Sequence, residues 1–358
     1  MQPTAVHASP LRRPLAPLAA ALLVVALAAA PAAAAPGPRV TARNAVLMDV
    51  GTGAVLWQRD AHRPALVAST TKILTALVAE RAYPAGKVFT VPLAAEDVDG
   101  TRFGYQRGMR IKRHDLLTTL LMVSANDAAE TLASAYPRGG RAGFLAAMQA
   151  EAAGFGCRDS SWRDPSGLDV PGHRASAADL AILGRALLSK PELAGIVATR
   201  STPYRWPNGR VQVISNHNHF VAYGRDPGAI GIKTGYTVAA RSTIVAAQRR
   251  GGRTLIAVAL GTDDMYKDVR SMFAYGFAAR ARPDAEILGR GQVASSVGPT
   301  QLQQAAGDRQ AARTSAATAG GGLLNRLLAA PLPVLATTAV VLLVLGIMVT
   351  AFSRSQRR

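Results

Sequence analysis

The sequence contains few acidic residues, few aromatic residues and a single cysteine. Its 358 residues include 22 aspartates and glutamates against 41 lysines and arginines, which gives a formal net charge of +19. Cys157 has no second cysteine to pair with, so no intrachain disulfide stabilises the fold. The excess of basic residues suits a protein that lies near anionic lipids or cell-wall polymers.

An apolar run near the N-terminus predicts an export signal. Arg12 and Arg13 precede an apolar stretch at residues 15–30, and residues 32–35 are small alanines. A basic start, an apolar centre and a small-residue cleavage site are typical of a secretory signal peptide, which we place at residues 1–35. An exported protein with scattered arginines is not expected to bind nucleic acid.

A second apolar run near the C-terminus predicts a membrane anchor. Residues 334–352 carry no charge over a length that crosses a bilayer core. They are followed at once by Arg354, Arg357 and Arg358, and basic residues next to a span mark its cytoplasmic side. We therefore expect a single-pass protein of the cell membrane, with a transmembrane helix at 334–352, a cytoplasmic basic tail at 353–358 and the body of the protein outside.

Between these ends the pattern of apolar residues predicts one α+β domain at residues 38–282. Two short runs near residues 45–57 predict a hairpin, helical patterns occupy much of residues 69–189, and strands return after Pro203. The first and last strands are expected to join in one sheet, with the helical block inserted between them. Residues 283–330 lack any apolar period and are rich in small and polar residues, so they predict a flexible linker.

Three short motifs occur in order along this domain. Ser69-Thr70-Thr71-Lys72 opens a predicted helix, Ser124-Ala125-Asn126 lies at a break between predicted helices, and Lys233-Thr234-Gly235 ends a predicted strand. Taken singly, each has an ordinary structural interpretation as a helix cap or a strand end. Residues three apart share one helix face, however, so the Lys72 amine is expected beside the Ser69 hydroxyl. A buried lysine with a lowered pKa can accept the serine proton and so create a nucleophile.

Together the motifs resemble those of the penicillin-recognising serine peptidases, and among them the low-molecular-mass D-Ala-D-Ala carboxypeptidases. The resemblance covers residues 38–282 and includes Asp164-Pro165-Ser166-Gly167-Leu168-Asp169 with His173, and Gly231-Ile232-Lys233-Thr234-Gly235-Tyr236-Thr237. It implies a β-lactamase/DD-peptidase-like α+β fold, in which helices flank an antiparallel sheet and form an inserted all-helical subdomain. It also implies a serine carboxypeptidase that trims the terminal D-Ala of peptidoglycan stem peptides. Such an enzyme has β-lactam antibiotics as covalent inhibitors and uses no metal or other cofactor.

The resemblance assigns the catalytic roles to three residues. Ser69 is the expected nucleophile, Lys72 the base, and Ser124 the relay that carries a proton to the leaving amine. The backbone amides of Ser69 and Tyr236 are expected to bind the oxyanion. The segment from Asp164 to Asp169 with His173 is interpreted as a scaffold beneath the site.

The expected substrate-binding residues surround these three. Asn126 is expected to hold Lys72 or the substrate backbone, and Lys233 to raise the local positive potential. Thr234 is expected to donate to the terminal carboxylate. Gly235 leaves the strand edge bare, so that an extended substrate can add as a further strand.

The chain departs from the family pattern at two places. Arg241 stands where the family usually has a glycine, and Met265-Tyr266-Lys267-Asp268 stands where many members have an arginine early in the last helix. Carboxylate binding therefore passes to Arg241 or Lys267 in this prediction. The side chain of Arg241 either reaches the carboxylate pocket or lies over the sheet in solvent, because a slip of one residue reverses its face.

Three other functions are compatible with the same fold. A D,D-endopeptidase is the first alternative, because the sequence does not show how deep the substrate pocket is. A class A β-lactamase needs a glutamate in a Glu-x-x-Leu-Asn context, and none of Glu130, Glu151 and Glu192 has it. A non-catalytic wall-binding protein is expected to have lost the serine, a lysine or the Lys-Thr-Gly motif, and all are intact here.

Overall fold

The computed structural model of the protein describes residues 36–279, residue 281 and residues 284–289. The signal peptide, the membrane helix and the cytoplasmic tail predicted from the sequence all lie outside these ranges. Within them, no helix is both long enough and apolar enough to cross a membrane.

These residues form nine strands, nine α-helices and one 3₁₀ turn. The strands are β1 (Asn44–Asp49), β2 (Val55–Arg59), β3 (Val88–Thr90), β4 (Arg110–Lys112), β5 (Ser201–Arg205), β6 (Val211–Ser215), β7 (Ala229–Thr237), β8 (Arg241–Arg250) and β9 (Arg253–Thr262). The helices are α1 (Lys72–Ala82), α2 (Leu93–Glu96), α3 (Arg113–Met122), α4 (Asn126–Ser134), α5 (Gly140–Gly154), α6 (Ala177–Leu188), α7 (Pro191–Val197), α8 (His219–Ala222) and α9 (Met265–Ala278). The 3₁₀ turn, Ala68–Thr71, directly precedes α1.

Five strands form the central sheet in the order β2-β1-β9-β8-β7. Every neighbouring pair is antiparallel, although β1 and β9 stand more than 200 residues apart in the sequence. Strand β7 therefore lies at one end of the sheet, where one of its edges is available to the 3₁₀ turn and to a ligand. The predicted α+β domain, with its first and last strands in one sheet, is confirmed.

The two faces of the sheet are covered by different helices. Residues alternate between the two faces along a strand. Leu47 and Leu255 therefore belong to a core cluster with Phe273 of α9. Their neighbours Val46 and Ile256 face the inserted helices on the other side of the sheet. Helix α6 lies close to that second face. A Cβ added at Gly184 of this helix would come within 3.1 Å of both Ile232 and Val245, so the glycine permits the close approach.

Helix α1 runs through the middle of the inserted helical block. Its first eight residues, from Lys72 to Ala79, are all buried. A helix that is surrounded by apolar side chains is held by packing on every side. Its N-terminal end, which follows Ser69, is consequently fixed in position relative to β7.

Three features of the structure differ from the sequence predictions or add to them. Ser69 does not cap an α-helix as expected, because it lies inside the 3₁₀ turn and α1 begins at Lys72. The short elements α2, β5, α7 and α8 were not predicted. Residues 284–289 fall in the segment predicted as linker, and they pair with the start of β2, where the Val55 amide donates to the Glu286 carbonyl at 2.8 Å.

Candidate active site

Ser69 lies in a tight turn that is fixed by its neighbours. The hydroxyl of Thr70 donates to the Val67 carbonyl at 2.6 Å, and the hydroxyl of Thr71 donates to the Ala68 carbonyl at 2.9 Å. Ala68 adopts a left-handed backbone with φ of 46°, an unfavourable conformation for a residue with a side chain. The turn leaves Ser69 half-buried at the front of the buried helix α1.

Lys72 lies one turn beyond Ser69 and is fully buried. Its Nζ is 2.9 Å from Ser69 Oγ and 2.7 Å from the Ser166 carbonyl oxygen. Burial, and then the positive charge of Lys233, hold the pKa of Lys72 well below its usual value, although Asp164 and Asp127 act in the opposite direction. An amine in this environment favours its neutral form, which can accept a proton from the serine.

The second motif lies in the loop between α3 and α4. Ser124 is buried and has a left-handed backbone with φ of 66°. The side chain of Asn126 donates from Nδ2 to the Asp99 carbonyl at 2.6 Å, and its amide donates to the Thr101 carbonyl at 2.7 Å. Its Oδ1 is buried and has no hydrogen-bond partner within the described part of the chain. A buried acceptor without a partner is costly, so this oxygen is available for a donor on a ligand.

Asp127 holds the loop that faces this motif. Its carboxylate accepts the backbone amides of Phe103, Gly104 and Tyr105 at 2.8 to 3.1 Å. The loop is thereby fixed beside Asn126. This role of Asp127 was not predicted, although the residue directly follows the second motif in the sequence.

The third motif lies on β7. Lys233 is almost fully buried, its Nζ donates to the Thr234 carbonyl at 2.7 Å, and burial lowers the pKa of its amine to about 7. Gly235 faces the serine turn: an added Cβ would lie 2.7 Å from the Ser69 backbone nitrogen. The structure therefore gives a further reason for the glycine, since it allows the strand to approach the turn that carries Ser69. Tyr236, the next residue, is 67% exposed.

The segment from Asp164 to His173 lies beneath the turn. One carboxylate oxygen of Asp164 accepts three successive backbone amides, those of Ser166, Gly167 and Leu168, at 2.8 to 3.1 Å. This arrangement presents the Ser166 carbonyl to Lys72. The sequence motif identified the segment, but nothing in it indicated that a backbone oxygen would contact the lysine.

His173 supports the turn in a neutral state. Its Nδ1 accepts the Arg163 amide at 3.0 Å, so its Nε2 carries the hydrogen and donates to Thr71 Oγ1 at 2.8 Å. Burial lowers the pKa of His173 to about 4, against the effect of Asp164 and Asp169. The side chain thus stays uncharged at neutral pH and acts as a fixed support.

Arg241 begins β8 opposite Thr237 and has a left-handed backbone with φ of 59°. Its guanidinium is paired with the carboxylate of Asp263, and both side chains are partly exposed. Lys267, the other candidate for carboxylate binding, is exposed on α9. The structure thus places Arg241 beside the strand that carries Lys233, with an anionic partner already in place.

A serine in contact with a buried lysine, on an antiparallel sheet with an inserted helical block, is an arrangement that suits a serine hydrolase with a lysine base. Comparison with known proteins narrows this class. The family model for peptidase S11, described as D-alanyl-D-alanine carboxypeptidase, matches residues 29–264. The chain belongs to this family, and the predicted family and fold type are confirmed.

Individual relatives agree with this assignment. The chain is 37% identical over 268 residues to the D-alanyl-D-alanine carboxypeptidase DacB2 of Mycobacterium tuberculosis, covering 72% of this chain and 89% of that protein. A solved D-alanyl-D-alanine carboxypeptidase from Mycobacterium tuberculosis superposes with a TM-score of 0.66 at 35% identity, covering 72% of this chain and 98% of that one. A D-alanyl-D-alanine endopeptidase of Pseudomonas aeruginosa is 34% identical over 50% of this chain and 58% of its own length.

Proposed function

We propose that the protein is a serine-type D-Ala-D-Ala carboxypeptidase that removes the terminal D-Ala of peptidoglycan stem peptides through an acyl-enzyme on Ser69. The observation that carries this proposal is the 2.9 Å contact between Ser69 Oγ and the Nζ of the fully buried Lys72. The names of its relatives and its membership of the carboxypeptidase family support the same activity.

In the acylation step the neutral Lys72 accepts the proton of Ser69 as Oγ bonds to the carbonyl carbon before the terminal D-Ala. The carbonyl oxygen becomes an oxyanion, and the amides of Ser69 and Tyr236 stabilise it. Ser124 gives its proton to the amine of the departing D-Ala as the C–N bond breaks and takes the proton of Lys72 in its place, so Lys72 is neutral again. Water then hydrolyses the ester and restores Ser69.

Substrate binding is assigned to the residues around this centre. Thr234 donates to the terminal carboxylate, and the charge of Lys233 favours the same group. Asn126 offers its unpartnered Oδ1 to a backbone N–H of the substrate. Arg241 is proposed to add a bidentate contact to the carboxylate; because it begins β8 opposite Thr237, three residues along β7 from Thr234, its side chain must leave Asp263 and extend along the strand to do so.

β-Lactam antibiotics are proposed to react at the same serine, because their strained carbonyl is attacked in the same way. A β-lactamase is less well supported, since such an enzyme needs a glutamate that activates a deacylating water. Glu130, Glu151 and Glu192 are each paired with an arginine: Arg141, Arg81 and Arg113, respectively. Those carboxylates are engaged in the helical block.

Residues 1–35 are proposed as a signal peptide, 38–282 as the catalytic domain and 283–330 as the linker to a membrane helix at 334–352, although residues 284–289 of that linker pack against β2. The basic charge of the chain and the arginines after residue 352 support this topology. Truncation before Pro331 is expected to release a soluble, active enzyme. A truncated form that stays with the membrane after signal removal contradicts the single anchor.

The activity is tested with purified protein and two substrates. Wild type is expected to bind a fluorescent penicillin covalently and to release D-Ala from a D-Ala-D-Ala peptide, whereas Ser69→Ala does neither while keeping its melting temperature. Mapping of the labelled peptide should locate the adduct on Ser69, and labelling that persists in Ser69→Ala contradicts the proposal. A cross-linked stem-peptide dimer distinguishes the second candidate, an endopeptidase, which the Pseudomonas relative makes worth testing.

A further inference from the structure

A cavity of about 470 Å³ lies at the end of the hairpin formed by β7 and β8. Three arginines line it, Arg43, Arg63 and Arg174, together with Ala65-Leu66 and Ala239-Ala240. We call it the arginine cavity. The function proposed above gives no role to these arginines.

The three guanidinium groups have no hydrogen-bond, ion-pair or ring partner among the described residues. Asp60 is the one carboxylate that lines the cavity, so the lining carries three positive charges against one negative charge. The neighbouring Arg241 differs, because Asp263 already neutralises it. Unpaired guanidinium groups that converge on one space favour an anion, and above all a carboxylate or a phosphate.

The backbone that carries the arginines is fixed by hydrogen bonds. The buried Asn44 donates from Nδ2 to the carbonyls of Asp60 and Arg63, at 3.0 and 3.3 Å. Ala65 and Ala175 exchange backbone hydrogen bonds at 2.9 and 3.0 Å, which fixes the residue after Arg174 against the cavity wall. The cavity is therefore a built feature of the fold.

Two segments of its lining are continuous with segments of the candidate active site. Ala65-Leu66 leads directly into the turn that carries Ser69, and Ala239-Ala240 lies just beyond Gly235 on the β7–β8 turn. The 3₁₀ turn packs against β7, as the close approach of Gly235 to Ser69 shows. The arginine cavity thus lies between the residues that precede the serine turn and the residues that follow β7.

The direction of the substrate follows from the proposed function, on which this step rests. With the terminal carboxylate at Thr234 and the scissile carbonyl at the amide of Tyr236, the preceding residues of the peptide extend toward Thr237 and the turn. An extended chain advances about 3.3 Å per residue. Ala239 of the cavity lining follows Tyr236 by three residues, so a peptide that runs along β7 comes level with the cavity two or three residues before the scissile bond.

We propose that the arginine cavity binds a carboxylate that the substrate peptide carries two or three residues before the scissile bond. The enzyme then prefers stem peptides in which that carboxylate is free over those in which it is amidated. The three arginines are exposed, so each hydrogen-bonded ion pair corresponds to about a threefold change in kcat/KM, and two such pairs together to about tenfold.

The test uses matched synthetic peptides that end in D-Ala-D-Ala. Each pair differs only by a free carboxylate or a carboxamide, on the second or on the third residue before the scissile bond. The rate of D-Ala release is measured for wild type, Arg63→Gln, Arg174→Gln and the double variant. Arg110→Gln is the control, because Arg110 is an exposed arginine on β4 that does not line the cavity.

Wild type is expected to prefer the free carboxylate about tenfold in one pair, and the double variant to reduce that ratio to about one. Arg110→Gln should keep the wild-type ratio, and the rate of penicillin acylation should be the same in all variants. A wild-type ratio near one in both pairs, or a ratio that the double variant leaves unchanged, overturns the proposal. If wild type is neither labelled by penicillin nor releases D-Ala, the proposed function itself fails, which is a separate result.

Discussion

Replacement of Gly235 by alanine should slow acylation of Ser69 severely, for a steric reason. The added Cβ would lie 2.7 Å from the Ser69 nitrogen, 2.7 Å from Thr243 Oγ1 and 3.0 Å from Ala68 Cβ. Ordinary contacts between heavy atoms begin near 3.5 Å, so the strand and the turn must separate by roughly 0.8 Å. Thr243 resists this shift, because its hydroxyl donates to the Val67 carbonyl at 3.0 Å and holds the turn to β8.

The magnitude follows from the groups that move. Under the proposed mechanism the amides of Ser69 and Tyr236 flank Gly235 and bind the oxyanion together. A displacement of about 1 Å at a reacting centre costs on the order of 100-fold in rate, so we expect a similar loss in acylation. Overpacking of this kind also lowers the free energy of unfolding by about 1–3 kcal/mol.

The acylation rate is measured with a fluorescent penicillin well below the melting temperature, so that unfolding does not contribute. Gly86→Ala is the matched control, because an added Cβ at Gly86 meets no atom within 4 Å. It should keep the wild-type rate. A folded Gly235→Ala enzyme that acylates within about threefold of wild type refutes the argument that the spacing between strand and turn controls the rate.

Three further predictions concern the charged groups of the site. Lys72→Arg puts a permanently charged guanidinium, which cannot release its proton, in place of the neutral amine, so acylation should fall by about three orders of magnitude or more; near-normal acylation excludes Lys72 as the base. Lys233→Met removes a charge that lowers the pKa of Lys72, so the acid limb of the acylation-rate profile should move to higher pH; an unmoved limb contradicts the coupling. Arg241→Ala should impair cleavage of a D-Ala-terminated peptide more than acylation by penicillin, whose ring strain offsets weaker anchoring, with Lys267→Ala measured beside it. Equal effects on both substrates mean that Arg241 serves only its ion pair with Asp263.

The order of elements and the contact between Ser69 and Lys72 were predictable from the sequence because they are local. Apolar periodicity fixes helices and strands one at a time, and a spacing of three residues fixes two side chains on one turn. The first turn itself was less predictable. Ser69 suits a helix cap by residue type, yet contacts with Gly167 and Thr243 from distant segments hold it in a 3₁₀ turn.

The contacts that complete the site join segments far apart in the sequence. Lys72 meets the Ser166 carbonyl because a carboxylate turns that loop toward it, and the amide-binding role of Asp127 depends on a loop more than 20 residues earlier. The arginine cavity depends most on such long-range contacts. Arg43 and Arg174 line the same cavity only because the sheet register and one backbone bridge bring their segments together. No local spacing carries that information, so these features needed the three-dimensional structure.

The backbone strain near the site shows how the fold maintains its geometry. Four non-glycine residues of the described chain have positive φ, and two of them are Ala68, directly before Ser69, and Ser124. Each such conformation costs roughly 1–2 kcal/mol and persists only where the surroundings determine it. The surroundings are specific here: the Ala68 carbonyl accepts the Thr71 hydroxyl, and the amide of Asn126, two residues after Ser124, is bonded to the Thr101 carbonyl. The strain at Ala68 and Ser124 and the burial of Lys72 both cost stability near the active site. Packing in the helical block offsets that cost and maintains the arrangement.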